Sequence, residues 1–165
     1  MIAERPLDHA LRHNTWANGA IIEFCRGLDP ATLEAVAPGT FGTIERTLQH
    51  LVGGQQWYTQ LLTGEVIGPP LRRDGPRPTL DVLAAVASGT GERVVDVAES
   101  DDPARRIEMY GGRRSTVGVV LAQLIHHGNE HRTQITTILG ANGIEPPPLS
   151  AWAYGRAAKI SEAEE

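Results

Sequence analysis

Apolar residues recur three and four positions apart over four long segments, and Gly, Pro and Asp punctuate the gaps between them. The first segment runs from about Leu7 to Leu28. Leu7, Leu11, Ile21, Cys25 and Leu28 share one helical face there, and Asp29-Pro30 closes the run. After the loop Pro38–Gly42, Thr43 is an N-cap candidate for a second helix carrying Ile44, Leu48, Leu51, Tyr58 and Leu62, with Gly64 as its stop. The stretch Ile67–Pro78 holds four prolines and three arginines and reads as a structureless surface connection. Thr79 opens a third helix with Leu80, Leu83, Ala87, Val94 and Ala98, though Gly89 and Gly91 weaken its middle by roughly 1 kcal/mol each. Arg105, Ile107 and Met109 alternate into Gly111-Gly112, which predicts a short extended piece or hairpin. Ser115 or Thr116 starts the last helix, and Gly140–Gly143 ends it. Pro146–Pro148 predicts an extended tail, solvated and flexible from about residue 155.

Four amphipathic helices of about 20 residues predict an all-α fold, a four-helix bundle with a short extended piece before the last helix. A single domain over 1–165 suits the length. The long 67–78 connection permits a helix order other than simple up-and-down.

Charge and cysteine usage narrow the setting. Twenty Asp+Glu against fifteen Lys+Arg leave a net charge of −5, which disfavours nucleic acid as a partner. The lone cysteine, Cys25, excludes an internal disulfide and suits a reducing compartment. The first residues lack the apolar stretch of a secretory leader, so none is expected, and no run of about 18 apolar residues occurs. The expectation is a cytoplasmic protein that uses no membrane.

The chemistry lies in the histidines. Two i,i+4 pairs occur, His9/His13 and His127/His131. At about 100° per residue, His131 falls within about 30° of the centre of the last helix's apolar stripe, and His127 within about 70°. His126 and Glu130 fall on the far side, and His9/His13 sit toward the polar flank of the first helix. Two inward imidazoles need partners for their lone pairs, which a shared cation or core hydrogen bonds would supply. His50 flanks the apolar stripe of the second helix, as a third ligand or as a half-exposed histidine, and Gly53-Gly54 would leave room beside it. Gly128 stands where the zinc-protease helix motif carries its general-base Glu. Three imidazoles with a fourth position open are the form of a catalytic metal site. Asn14 and Asn18 interrupt the first helix's stripe, either orienting a ligand histidine or bonding each other and nearby backbone. Arg72-Arg73, Arg105-Arg106 and Arg113-Arg114 fall in connections, as solvated charge or as a hold on a carboxylate.

His50 within TIERTLQHLVGGQQWYTQLL, and His127 and His131 within LAQLIHHGNEHRTQITTILGANGI, resemble the DinB/YfiT-like metalloenzyme family. Asn14, Trp16, Ala17 and Asn18 match its Asn-x-Trp-Ala-Asn stretch, and the string His127–Gln134 is the most specific part. Thr133 stands where Gly is usual and Glu130 where a further His often occurs. The resemblance implies a DinB-like bundle that often dimerises. Its single divalent metal, zinc or nickel or else iron, would sit near one end, held by His50, His127 and His131. Asn14, Asn18 and Trp57 are the second-shell or substrate-side candidates.

The implied activity is a transferase that activates a low-molecular-weight thiol, such as bacillithiol, mycothiol or glutathione, for attack on an electrophilic small molecule. A hydrolase using metal-bound water is the alternative, although Glu45 and Glu130 point away from the ligands and leave no inward general base. A non-enzymatic bundle with a structural metal is the third reading. Trp16, nearly opposite the Leu7/Leu11 stripe, would then mark a partner surface or a homodimer interface. Cys25, on the core stripe, reads as a small hydrophobe and not as a nucleophile.

Overall fold

The structure, a computed structural model, describes residues 5–161. Four long helices form the bundle: α1 (Pro6–Arg26), α3 (Ile44–Thr63), α4 (Leu80–Ser100) and α5 (Val117–Ala141). Three of them begin at the caps the sequence offers. Thr43, Thr79 and Thr116 each accept a hydrogen bond from the backbone N–H three residues on. Gly64 ends α3 in the left-handed region at φ 77°, as a C′ glycine does. A short helix, α2 (Pro30–Leu33), caps the bundle after Asp29. Strands β1 (Arg106–Glu108) and β2 (Arg114–Thr116) pair antiparallel ahead of α5, so the expected hairpin is present.

The helix order is not a simple up-and-down ring. Arg12 bonds Glu99 and Arg26 bonds Asp81, so α1 and α4 run antiparallel. α3 and α5 are also antiparallel, with His50 against His127 and Tyr58 against Gln123. One apolar cluster gathers Ile21, Leu48, Leu83 and Ile135; the other gathers Leu11, Leu62, Val94 and Leu121. The pairs α1/α5 and α3/α4 therefore run parallel. Parallel neighbours need the 64–79 segment to return the length of the bundle, about 30 Å for a 20-residue helix.

That segment is not loose. Gln49 Nε2 donates to the carbonyls of Arg72 (2.8 Å) and Pro76 (3.2 Å), and Gln56 Nε2 to those of Ile67 (2.7 Å) and Pro69 (3.0 Å). Leu71 N–H returns a bond to Gln56 Oε1 at 3.0 Å. A Cβ at Gly53 would lie 2.7 Å from the Leu71 carbonyl oxygen, so the glycine admits the segment against α3. Gly91 in α4 has a similar part, since a Cβ there would lie 2.4 Å from the Thr15 hydroxyl. The two glycines that looked like helix weaknesses lie where α4 meets α1 (Gly91) and the connection (Gly89, facing Ile67).

Three expectations need correcting. Leu7 does not join the core but is 37% exposed, because the bundle ends at Leu11 and Asp8 is buried against Arg5 instead. The tail does not become irregular after the prolines: Ser150 caps a helix, α6 (Ala151–Ala157), and Ile160 and Ser161 N–H close back onto the Gly155 carbonyl. Only 162–165 of the expected flexible tail lie outside the described residues. Trp16 is half-buried, not free, because α6 brings Tyr154 over it with ring centroids 5.9 Å apart. Among the described residues no helix is long and apolar enough to cross a membrane.

Candidate metal centre

The centre is built where α3 faces α5. His127 and His131 project from one face of α5 as an i,i+4 pair, their ring centroids 4.4 Å apart. His50 projects from α3 into the same space, 4.6 Å from the His131 ring and 5.1 Å from that of His127. One ring nitrogen from each lies within 4.8 Å of the other two. Among the described residues this is the one group of three or more His, Cys, Asp or Glu side chains able to hold a metal ion, and no carboxylate joins it. His127 and His131 are buried and His50 is half-buried. The centre sits about two turns into α3 and at mid-length of α5, further inside than the bundle-end position the family resemblance implied.

Local sequence makes this convergence possible. A Cβ at Gly54 would lie 2.3 Å from His127 Cε1, so only glycine leaves room for that ring. Phe41, in the loop before α3, stacks on His50 at 4.1 Å and 9° and meets His131 edge-on at 5.4 Å. Phe41 N–H donates to Gln134 Oε1 at 3.3 Å, which identifies that atom as the oxygen. His131 Nδ1 must then donate to the same oxygen at 2.9 Å, which leaves Nε2 as the lone-pair nitrogen.

The electrostatics suit a cation. Burial, together with the charges of His131 and His50, pushes His127 down to about 3, so its ring is neutral at ordinary pH. His50 is lowered chiefly by burial, then by His131 and Arg73. Neutral imidazoles are the form a metal requires. His50 Nε2 and His127 Nε2 face each other at 3.4 Å. A shared cation could satisfy these converging nitrogens together.

The remaining candidates lie elsewhere. Asn14 and Asn18 do not bond a ligand histidine; their oxygens accept from Arg132 Nη1 at 2.8 and 2.5 Å, and their amides donate to Gln55 Oε1 at 3.3 and 2.8 Å. Gln55 Nε2 continues to Thr90 Oγ1 at 2.7 Å, so one buried polar layer joins all four long helices. Gly128 has a positive role here: a Cβ would lie 2.1 Å from Asn14 Oδ1. Trp57 is 42% exposed against Tyr58 and makes no ring contact with the histidines. His126 pairs with Glu130 at 3.8 Å on the outer face, and Glu45 with Arg77 at 2.7 Å, so both carboxylates point away as expected. Cys25 is fully buried and its thiol is pushed up to about 12 by burial, which suits a hydrophobe. Sequence reading missed the roles of Phe41, Gln134 and Arg132, and left Arg73 as solvated charge or a hold on a carboxylate. The signal for Gln134 and Arg132 was present in the string His127–Gln134, but only packing gives each a partner.

The DinB family model matches residues 3–165. The chain belongs to the DinB family. A solved DinB-like protein from Bacillus cereus ATCC 10987 is similar at 22% identity and a TM-score of 0.63, over 82% of this chain and 90% of that one. That likeness supports the bundle fold. No curated protein matches the chain.

Proposed function

We propose that this DinB-family protein is a metal-dependent transferase that activates a low-molecular-weight thiol for attack on an electrophilic small molecule. The observation that carries the reading is a cluster of three histidines with no fourth protein ligand among the described residues. A structural site is closed by four protein ligands, whereas three imidazoles leave a position for an exogenous ligand. Zinc and nickel suit this donor set best, with iron also compatible. Bound there, the metal would supply acidity, holding a thiol as its thiolate near neutral pH.

The protein's own residues orient and shield. Gln134 fixes the His131 tautomer, and Phe41 covers one face of His50. No carboxylate in the cluster offers a general base, which favours an incoming nucleophile that needs none over hydrolysis. We further propose a cytoplasmic homodimer that uses neither nucleic acid nor membrane. Its net charge of −5 supports the absence of nucleic acid, and exposed Trp152 and Ile160 support self-association.

The test is the metal content of untagged protein and of His131→Ala, followed by transfer to an electrophile at increasing thiol. Near-stoichiometric metal that is lost in the variant, with activity saturable in thiol, is expected. Metal-free wild type after reconstitution with zinc, nickel or iron would overturn the reading, and thiol-independent turnover would replace it with hydrolysis.

A further inference from the structure

Arg73 is the second arginine of a pair that sequence alone leaves as either solvated charge or a hold on a carboxylate. The pinned connection carries it to the centre. Its guanidinium carbon lies 5.0 Å from the centroid of Phe41, on the ring that stacks 4.1 Å from His50. Those two spacings place the guanidinium within about 9 Å of the His50 imidazole, and its charge is one of those acting on that ring. Arg77 in the same connection is held by Glu34 and Glu45. Arg73 has no carboxylate within ion-pair distance among the described residues, and it is exposed. Glu130, the carboxylate that acts on His50, sits beside His126 on the outer face. Arg73 thus stacks on Phe41 beside the centre with no carboxylate among the described residues to neutralise it, unlike Arg77, and its guanidinium is available to an anionic group of a ligand.

We propose that Arg73 selects the ligand of this centre. The thiol taken there carries a carboxylate several bonds from its sulfur, bound by the Arg73 guanidinium while the sulfur occupies the metal's open position. The proposal rests on the thiol reading above. Phe41 serves as the spacer that sets the distance between the two ends, and the bonds from Gln49 and Gln56 hold the connection at that distance.

The test is calorimetric titration of the zinc-loaded protein with mercaptohexanoate, mercaptohexanol and hexanoate. Wild type, Arg73→Gln and Arg72→Gln are compared at low ionic strength. Wild type is expected to bind mercaptohexanoate about tenfold more tightly than mercaptohexanol. Arg73→Gln should abolish that preference, and Arg72→Gln, with the same change in net charge, should keep it. Both variants lie in an exposed connection, and unchanged melting temperatures would confirm their folding. Equal affinity of wild type for the two thiols, or a preference that survives Arg73→Gln, overturns the proposal and leaves the thiol reading standing. If neither thiol binds, the thiol reading fails and hexanoate decides the anion site. Hexanoate binding that Arg73→Gln weakens supports Arg73 as the anion-binding residue; hexanoate that is insensitive to the variant, or does not bind, overturns it.

Discussion

Arg132 Nη1 donates to Asn18 Oδ1 at 2.5 Å, deep between α1 and α5. Its other acceptors are the amide oxygens of Asn14 at 2.8 Å and Asn129 at 2.6 Å. The residue is 3% exposed, and burial lowers its pKa to about 10, so it remains a cation at neutral pH. Arg132→Met removes the donors and leaves two buried Asn oxygens unsatisfied. The expected loss of stability is about 2–4 kcal/mol. Urea unfolding should show a lower midpoint with an unchanged slope.

Gln134 holds the proton of His131 on Nδ1. Gln134→Ala frees that ring to rotate and change tautomer, and should weaken metal affinity by about 10–100-fold with little effect on folding. Competition against a chromophoric chelator measures this. An affinity equal to wild type would remove Gln134 from the centre.

Gly54 and Gly53 separate two roles of adjacent positions. Gly54→Ala puts a methyl group into the His127 ring and should abolish stoichiometric metal binding while the helix persists. Gly53→Ala meets the Leu71 carbonyl instead and should loosen the 64–79 connection with metal retained. Circular dichroism, limited proteolysis and metal analysis of the two variants distinguish the effects.

The metal-free protein should lose stability in acid. His127 is depressed in the folded state to about 3 from an ordinary value of 6.5, mainly by burial. Between those values the unfolded chain binds more protons at this site, so the contribution of His127 to stability falls as pH drops below about 6.5 and is lost near 3. The same protonation opposes metal binding, so bound metal adds to the pH dependence. Melting temperatures of chelator-treated protein at neutral pH and at pH 5 should differ, and His127→Gln should flatten the difference.

Much of this was visible in the chain itself. Helix starts at Thr43, Thr79 and Thr116 follow from a side-chain oxygen that bonds the backbone N–H three residues on, a strictly local event. The inward direction of His127 and His131 follows from helix periodicity, and Gly54 as the space beside the ligand follows from the absence of a side chain. Helix α6 was hidden because three prolines suggest an extended tail, whereas Ser150 caps a new helix two residues after them.

Local patterning therefore determined the four helices, the hairpin and the inward histidine pair, because each depends on residues within a few turns of one another. Tertiary structure decided what those elements meet. Arg132 carries a charge on the buried side of α5, and nothing near it in sequence foretells two asparagines 114 and 118 positions away. Trp16 looks like an exposed contact surface until α6 covers it. Arg73 looks like solvated charge until Gln49 and Gln56, from another element, hold its backbone beside Phe41 and His50. Through-space contacts between distant segments are set by loop closure and core packing, which no helical period encodes.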